Sequence, residues 1–153
     1  MAVIPGSEMV HWDSARAIGQ PSSDELIYVT IMVRARTSPA RSASGTTRLS
    51  REEFAVLRGA DPAELRKVEQ FARRNGLAVI QSDAARRSVE VSGPLSKMSA
   101  AFGVKFANYS AAGVTYRGYE GKIGVPDELA GIVVAVLGLD DRPAAEPRSV
   151  QPQ

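Results

Sequence analysis

The stretch Leu26-Ile27-Tyr28-Val29-Thr30-Ile31-Met32-Val33 decides how the rest of the chain is read. Five of its eight residues are β-branched and turn formers bound it, so it reads as a strand. Ile27, Val29, Ile31 and Val33 fall on one face; Leu26, Tyr28 and Met32 fall on the other. Both faces are apolar, the pattern of a strand covered on both sides. Ile132-Val133-Val134-Ala135-Val136-Leu137 repeats that pattern near the other end of the chain.

Between these two strands the punctuation is regular. Ser50-Arg51-Glu52-Glu53 is a capping box opening a short helix that stops at Gly59. Asp61 and Pro62 open a second helix with Leu65, Val68, Phe71 and Ala72 on one face, ended by Asn75-Gly76. Leu77–Gln81 and Arg87–Val91 form a hairpin. Gly93-Pro94 leads into a helix carrying Leu95, Met98, Ala101 and Phe102, with Gly103 as its stop. Lys105–Tyr109 and Val114–Tyr119 form a second hairpin, and Asp127–Ala130 supplies one helical turn before the last strand. Setting aside the short helix and the second hairpin leaves strand, helix, strand, strand, helix, strand. The fold class expected is therefore α+β, a ferredoxin-like split βαβ sandwich. Its antiparallel sheet has two main helices on one face, plus an extra hairpin.

The organisation follows. Residues 1–24 are an extended lead-in without sustained periodicity, 25–139 the core with an arginine-rich loop at 35–49, and 140–153 a proline-rich linker. Helices on one side of the sheet cannot cover both apolar faces of the two outer-reading strands. A face of that size in water calls for a partner that docks on it. The alternation leaves open which set of residues faces that partner.

Composition narrows the function. The chain has 153 residues, 44% hydrophobic and 24% charged, the mix of a globular domain. No apolar run approaches the roughly 18 residues of a membrane span, and no secretory signal is visible at the start. Zero cysteines exclude a disulfide scaffold, a thiol nucleophile and a cysteine zinc site. One histidine, His11, cannot build a His-rich metal site. The net charge is +2, with Arg34, Arg36, Arg41, Arg48 and Arg51 in a stretch free of acidic residues. No aromatic interleaves with them to stack on bases, so a solvated loop is the better reading than a nucleic-acid arm.

Candidate chemistry is thin. Ser44-Gly45-Thr46-Thr47 resembles a nucleophile motif in outline, with no base to activate Thr47. Gly118, Gly121 and Gly124 lack the helix that a phosphate loop would lead into. Glu52-Glu53 and Asp127-Glu128 suit helix N-termini, where negative charge is favoured. His11-Trp12 reads as a local packing point. No set of residues adds up to an active site, a metal site or a cofactor site.

Several runs, in their order and spacing, are familiar together: Leu49-Ser50-Arg51-Glu52-Glu53-Phe54, Asn75-Gly76-Leu77, Val91-Ser92-Gly93-Pro94 and Ala101-Phe102-Gly103-Val104. Tyr116-Arg117-Gly118-Tyr119, Val125-Pro126 and Val136-Leu137-Gly138-Leu139-Asp140-Asp141-Arg142-Pro143 continue the set. From about Pro5 to Pro143 the chain resembles the N-terminal activation domain of kumamolisin-like peptidases, the sedolisins or serine-carboxyl peptidases. The resemblance implies a ferredoxin-like prodomain of a secreted acid protease, whose sheet packs on a subtilisin-like catalytic domain. Such a prodomain assists folding and holds the protease inactive until acid triggers autocleavage in the linker. The family's catalytic Ser, Glu and Asp and its calcium site belong to the later domain, and no residue here corresponds to them. The expectation is a prodomain with no catalytic residue, cofactor, nucleic-acid or membrane partner of its own. Its partner surface is expected at Tyr28, Met32, Tyr116, Tyr119, Glu120, Asp127 and Glu128. The last three are the candidate acid-sensitive carboxylates, and Arg142, Arg148 and Ser149 belong to the processing linker. The alternative is a stand-alone regulatory or ligand-binding ferredoxin-like module that dimerises through its sheet.

Overall fold

The structure is a computed structural model and describes residues 2–36 and 59–142. The short helix expected from Ser50, most of the arginine-rich loop, Thr47, and the linker residues Arg148 and Ser149 lie outside the described residues.

The described chain runs β1 (Ala2–Val3), β2 (Arg16–Gly19), β3 (Leu26–Val33), α1 (Pro62–Arg74), β4 (Ala78–Asp83) and β5 (Ser88–Pro94). It continues through α2 (Leu95–Phe102), β6 (Lys105–Ala111), β7 (Val114–Glu120), β8 (Gly124–Val125), a 3-10 turn (Asp127–Leu129) and β9 (Val133–Leu137). The main sheet has the order β4-β5-β3-β9 with every neighbour antiparallel. Strand, helix, hairpin, helix and strand arranged in that order are the ferredoxin-like split βαβ sandwich.

Local chemistry sets the helices. Asp61 caps α1 by accepting from the Ala63 amide at 2.9 Å, and Pro62 occupies the first turn, where its missing N–H is no loss. At the far end the Asn75 side-chain amide donates to the Phe71 carbonyl at 2.8 Å, and Gly76 takes the left-handed conformation that ends the helix. Leu65, Val68, Phe71 and Ala72 of α1 meet Leu95, Met98, Ala101 and Phe102 of α2 on the sheet. Phe71 and Phe102 pack edge to face with centroids 5.7 Å apart. Under them lie Val29, Ile31 and Val33 of β3 and Val89 and Val91 of β5, all fully buried. Each such side chain contributes about 1.5–3 kcal/mol by leaving water, so this face holds the fold together.

The extended lead-in supplies two short strands of its own. Arg16–Gly19 joins the second hairpin as a third strand, giving the sheet β2-β6-β7, with Ala17 opposite Tyr109. Ala2 pairs with Val125 in a short ribbon with β8. Both strands are too short for periodicity to register, and all of β2 is exposed on its own. The β6–β7 turn falls at Ala112-Gly113, both with positive φ, as a two-residue hairpin requires.

Candidate docking face

Alternation along β3 assigns its two apolar faces. The odd-numbered residues pack on the helices; Leu26 and Tyr28 stand in water at 57% and 59% exposure, with Met32 half-buried beside them. Leu137 of β9 lies opposite Thr30 and is 55% exposed, and Ala135 lies opposite Met32. Both edge strands carry a bulge. The pairing skips one residue between Val79 and Gln81 on β4, and one between Val133 and Ala135 on β9; the extra residues, Ile80 and Val134, are exposed. Gly138 closes the β9 end of this face. Its φ is +103°, and a Cβ there would sit 2.7 Å from the Tyr28 carbonyl oxygen, so only glycine fits.

The centre of the face is polar on β5. Ser88, Glu90 and Ser92 lie opposite Met32, Thr30 and Tyr28. Ser88 and Glu90, with Thr30, Met32, Gln81, Asp83 and Arg86, edge a recess of about 340 Å³.

The other expected partner residues do not join this surface. Tyr116 and Tyr119 are only 3% and 8% exposed, buried beneath the N-terminal segment. Trp12 packs edge-on against Tyr116 at 5.3 Å, His11 lies 4.3 Å from the Tyr109 ring, and Tyr109 stacks on Tyr116 at 5.6 Å. The Tyr119 hydroxyl donates to the Ser7 carbonyl at 2.8 Å, and His11 Nε2 meets the Tyr119 carbonyl at 3.2 Å. Gly118 makes room for this packing: a Cβ would lie 3.0 Å from the Tyr109 ring and 3.1 Å from the Met9 sulfur. Burial pushes the Tyr109 phenol above its ordinary value, and the Glu120 carboxylate acts in the same direction. Burial likewise raises Tyr119, with Asp140 adding to the shift and Arg142 opposing it. Glu120 is exposed at the end of β7, and Glu128 of the 3-10 turn is paired with Arg74 of α1. Asp127 is on the same turn, away from β3.

The start of the expected linker is tied down as well. Arg117, 8% exposed, donates from Nε to the Leu139 carbonyl at 3.0 Å and from Nη1 to Glu25 at 2.8 Å. Its backbone exchanges hydrogen bonds with Asp141, whose carboxylate also lies 3.6 Å from Nη1. Arg142 donates to the Val10 carbonyl at 2.6 Å and sits over the Trp12 and Tyr116 rings at 5.3 and 5.9 Å. Residues 141 and 142 are therefore tied to the packed domain, Asp141 through the Arg117 backbone and ion pair and Arg142 through Val10 and the aromatic rings.

Among the described residues no group of three or more His, Asp and Glu could hold a metal ion, and no helix is long and apolar enough to cross a membrane. What the geometry defines is an α+β domain with one sheet face left open for contact. Residues 13–142 match the family described as Pro-kumamolisin, activation domain. The chain belongs to that family. It is 30% identical over 139 residues to kumamolisin of Bacillus sp. (strain MN-32), a match covering 84% of this chain and 25% of kumamolisin. The chain thus spans about a quarter of the length of that relative. An activation domain is the non-catalytic part of its precursor.

Proposed function

We propose that this chain is the propeptide of a secreted serine-carboxyl peptidase of the sedolisin type, docked by its open sheet face on the subtilisin-like catalytic domain of the precursor. In that role it templates folding of the catalytic domain, holds it inactive, and leaves after autoprocessing in acid. The segment carrying Arg148 and Ser149 is the processing linker, starting from the tethered residue Arg142. The observation that carries the reading is the row Leu26, Tyr28, Met32 and Leu137. Among the described residues of this activation domain, no helix covers the sheet face that carries these side chains. A contiguous apolar face of this kind marks a contact surface. Kumamolisin continues for three times the matched length, which leaves ample chain for a catalytic domain.

The test is inhibition of that catalytic domain at neutral pH by the isolated domain and its Met32→Glu variant. A carboxylate set into the docking row weakens inhibition by at least about tenfold while the melting transition stays intact. Full inhibition by Met32→Glu contradicts the sheet-face reading. A stable dimer that forms through the same face and inhibits no peptidase would instead establish the stand-alone module.

A further inference from the structure

We infer that Glu90 is the charge-reading residue of the docking face, and that the catalytic domain seats an arginine or lysine side chain over it in the recess on β3, β4 and β5. The inference rests on the sheet-face reading above and adds the chemistry of the partner at one point of it.

Glu90 occupies the middle of the sheet, with Thr30 of β3 on one side and Gln81 of β4 on the other. It is half-buried already, before anything docks. It makes no ion pair or hydrogen bond among the described residues; Glu8, Asp13 and Asp24 also lack a carboxylate partner but are exposed, whereas other acids of the domain are paired. Glu64 is held by Arg34, Glu69 by Arg73 and Ser82, Glu128 by Arg74, and Glu25 by Arg117. The neighbouring charges do not serve Glu90. Asp83 and Arg86 satisfy each other, with Arg86 Nε 3.7 Å from the carboxylate and the Arg86 amide donating to it at 3.1 Å. β3 and β9 bring no cation to this face, only Leu26, Tyr28, Thr30, Met32, Ala135 and Leu137. The described lining of the recess, with Asp83, Arg86 and Glu90 as its charged members, therefore sums to a net negative charge of one.

A partner that covers Leu26, Tyr28 and Met32 also removes water from Glu90. A carboxylate desolvated without a counter-charge opposes binding strongly. A partner selected for this face must bring a cation. The surroundings favour a guanidinium, because the Thr30, Ser88 and Gln81 side chains offer acceptor oxygens around the carboxylate and arginine presents five donors in a fixed fork.

The experiment measures the affinity of the domain for the precursor's catalytic domain, inactivated at its nucleophile, at pH 7. The domains compared are wild type, Glu90→Gln, Glu90→Lys and Tyr28→Glu, each checked by thermal melting. Should Glu90→Gln not fold, Glu90→Thr matches the strand and its Thr30 neighbour. At pH 7 Glu90→Gln weakens binding by roughly thirtyfold and Glu90→Lys by more. If Tyr28→Glu abolishes binding while Glu90→Gln binds as well as wild type at pH 7, or tighter, the face stands and the Glu90 inference is overturned. If Tyr28→Glu binds like wild type, the face itself is wrong, and the inference goes with it.

Discussion

Tyr28 of β3 and Tyr116 of β7 are both strand tyrosines, yet one is 59% exposed and the other 3%. The difference lies in what covers them. Over Tyr116 the chain lays its own Trp12 and the guanidinium of Arg142, and His11 covers the neighbouring Tyr109. Over Tyr28 the described residues lay nothing comparable. The residue is the same in the two places, so residue type does not explain the outcome; the more apolar strand holds the more exposed tyrosine. A domain able to cover one tyrosine with its own termini has left the other open, and that contrast is the strongest structural argument for docking on the main sheet.

Mutations that separate the covered from the open regions test the contrast. The largest effect is expected between neighbours on β3. Ile31→Ala, on the helix side, should lower stability by about 2–5 kcal/mol, whereas Met32→Ala, on the open side, should lose under about 1 kcal/mol. Urea unfolding measures both, and equal losses would mean the open face is structural. Next comes Arg117→Leu, which removes charged hydrogen bonds worth roughly 1.5–3 kcal/mol. It should also speed proteolysis between Leu139 and Arg142; unchanged cleavage there would show that the clasp does not hold the tail. Gly138→Ala, forced to a positive φ against the Tyr28 carbonyl, should cost about 1–3 kcal/mol.

The smallest effect expected is alkaline. Tyr109 and Tyr119 are raised above their ordinary values, so the folded domain favours the neutral phenols. Their contribution is complete below the unfolded-state value near 10 and is lost as pH rises through the higher folded values. Tyrosinate absorbance followed through that range should lag behind free tyrosine and then rise together with loss of the β6–β7 hairpin. Titration that follows free tyrosine would mean the small sheet is loosely covered.

Much of this was legible in the sequence. The helix from Asp61 to Asn75 carries both cap signals and a clean apolar face, so its reading needed no tertiary information. The double-sided β3 pattern identified the main sheet and the need for a partner, and Tyr28 and Met32 stand on its open face. The missed parts share a physical cause. β2 is four residues long and has no buried side chain of its own, so it leaves no period to read. Tyr116 and Tyr119 resembled surface residues because the segment that buries them is about a hundred residues away in sequence. Arg142 resembled linker because only a fold can bring Val10 and Trp12 to it. Glu90 gave no local signal, since an acidic residue in a strand is ordinary until its neighbours prove unable to pair with it.

The central claim is that the open face of the main sheet, and not the covered small sheet, is where the catalytic domain docks. Paired inhibition constants for Tyr28→Glu and Ile18→Glu test it most directly, because both residues are exposed apolar side chains on strands, one in each sheet. The account predicts that Tyr28→Glu loses roughly a hundredfold in inhibition while Ile18→Glu inhibits like wild type. Loss of inhibition with Ile18→Glu and none with Tyr28→Glu would contradict it.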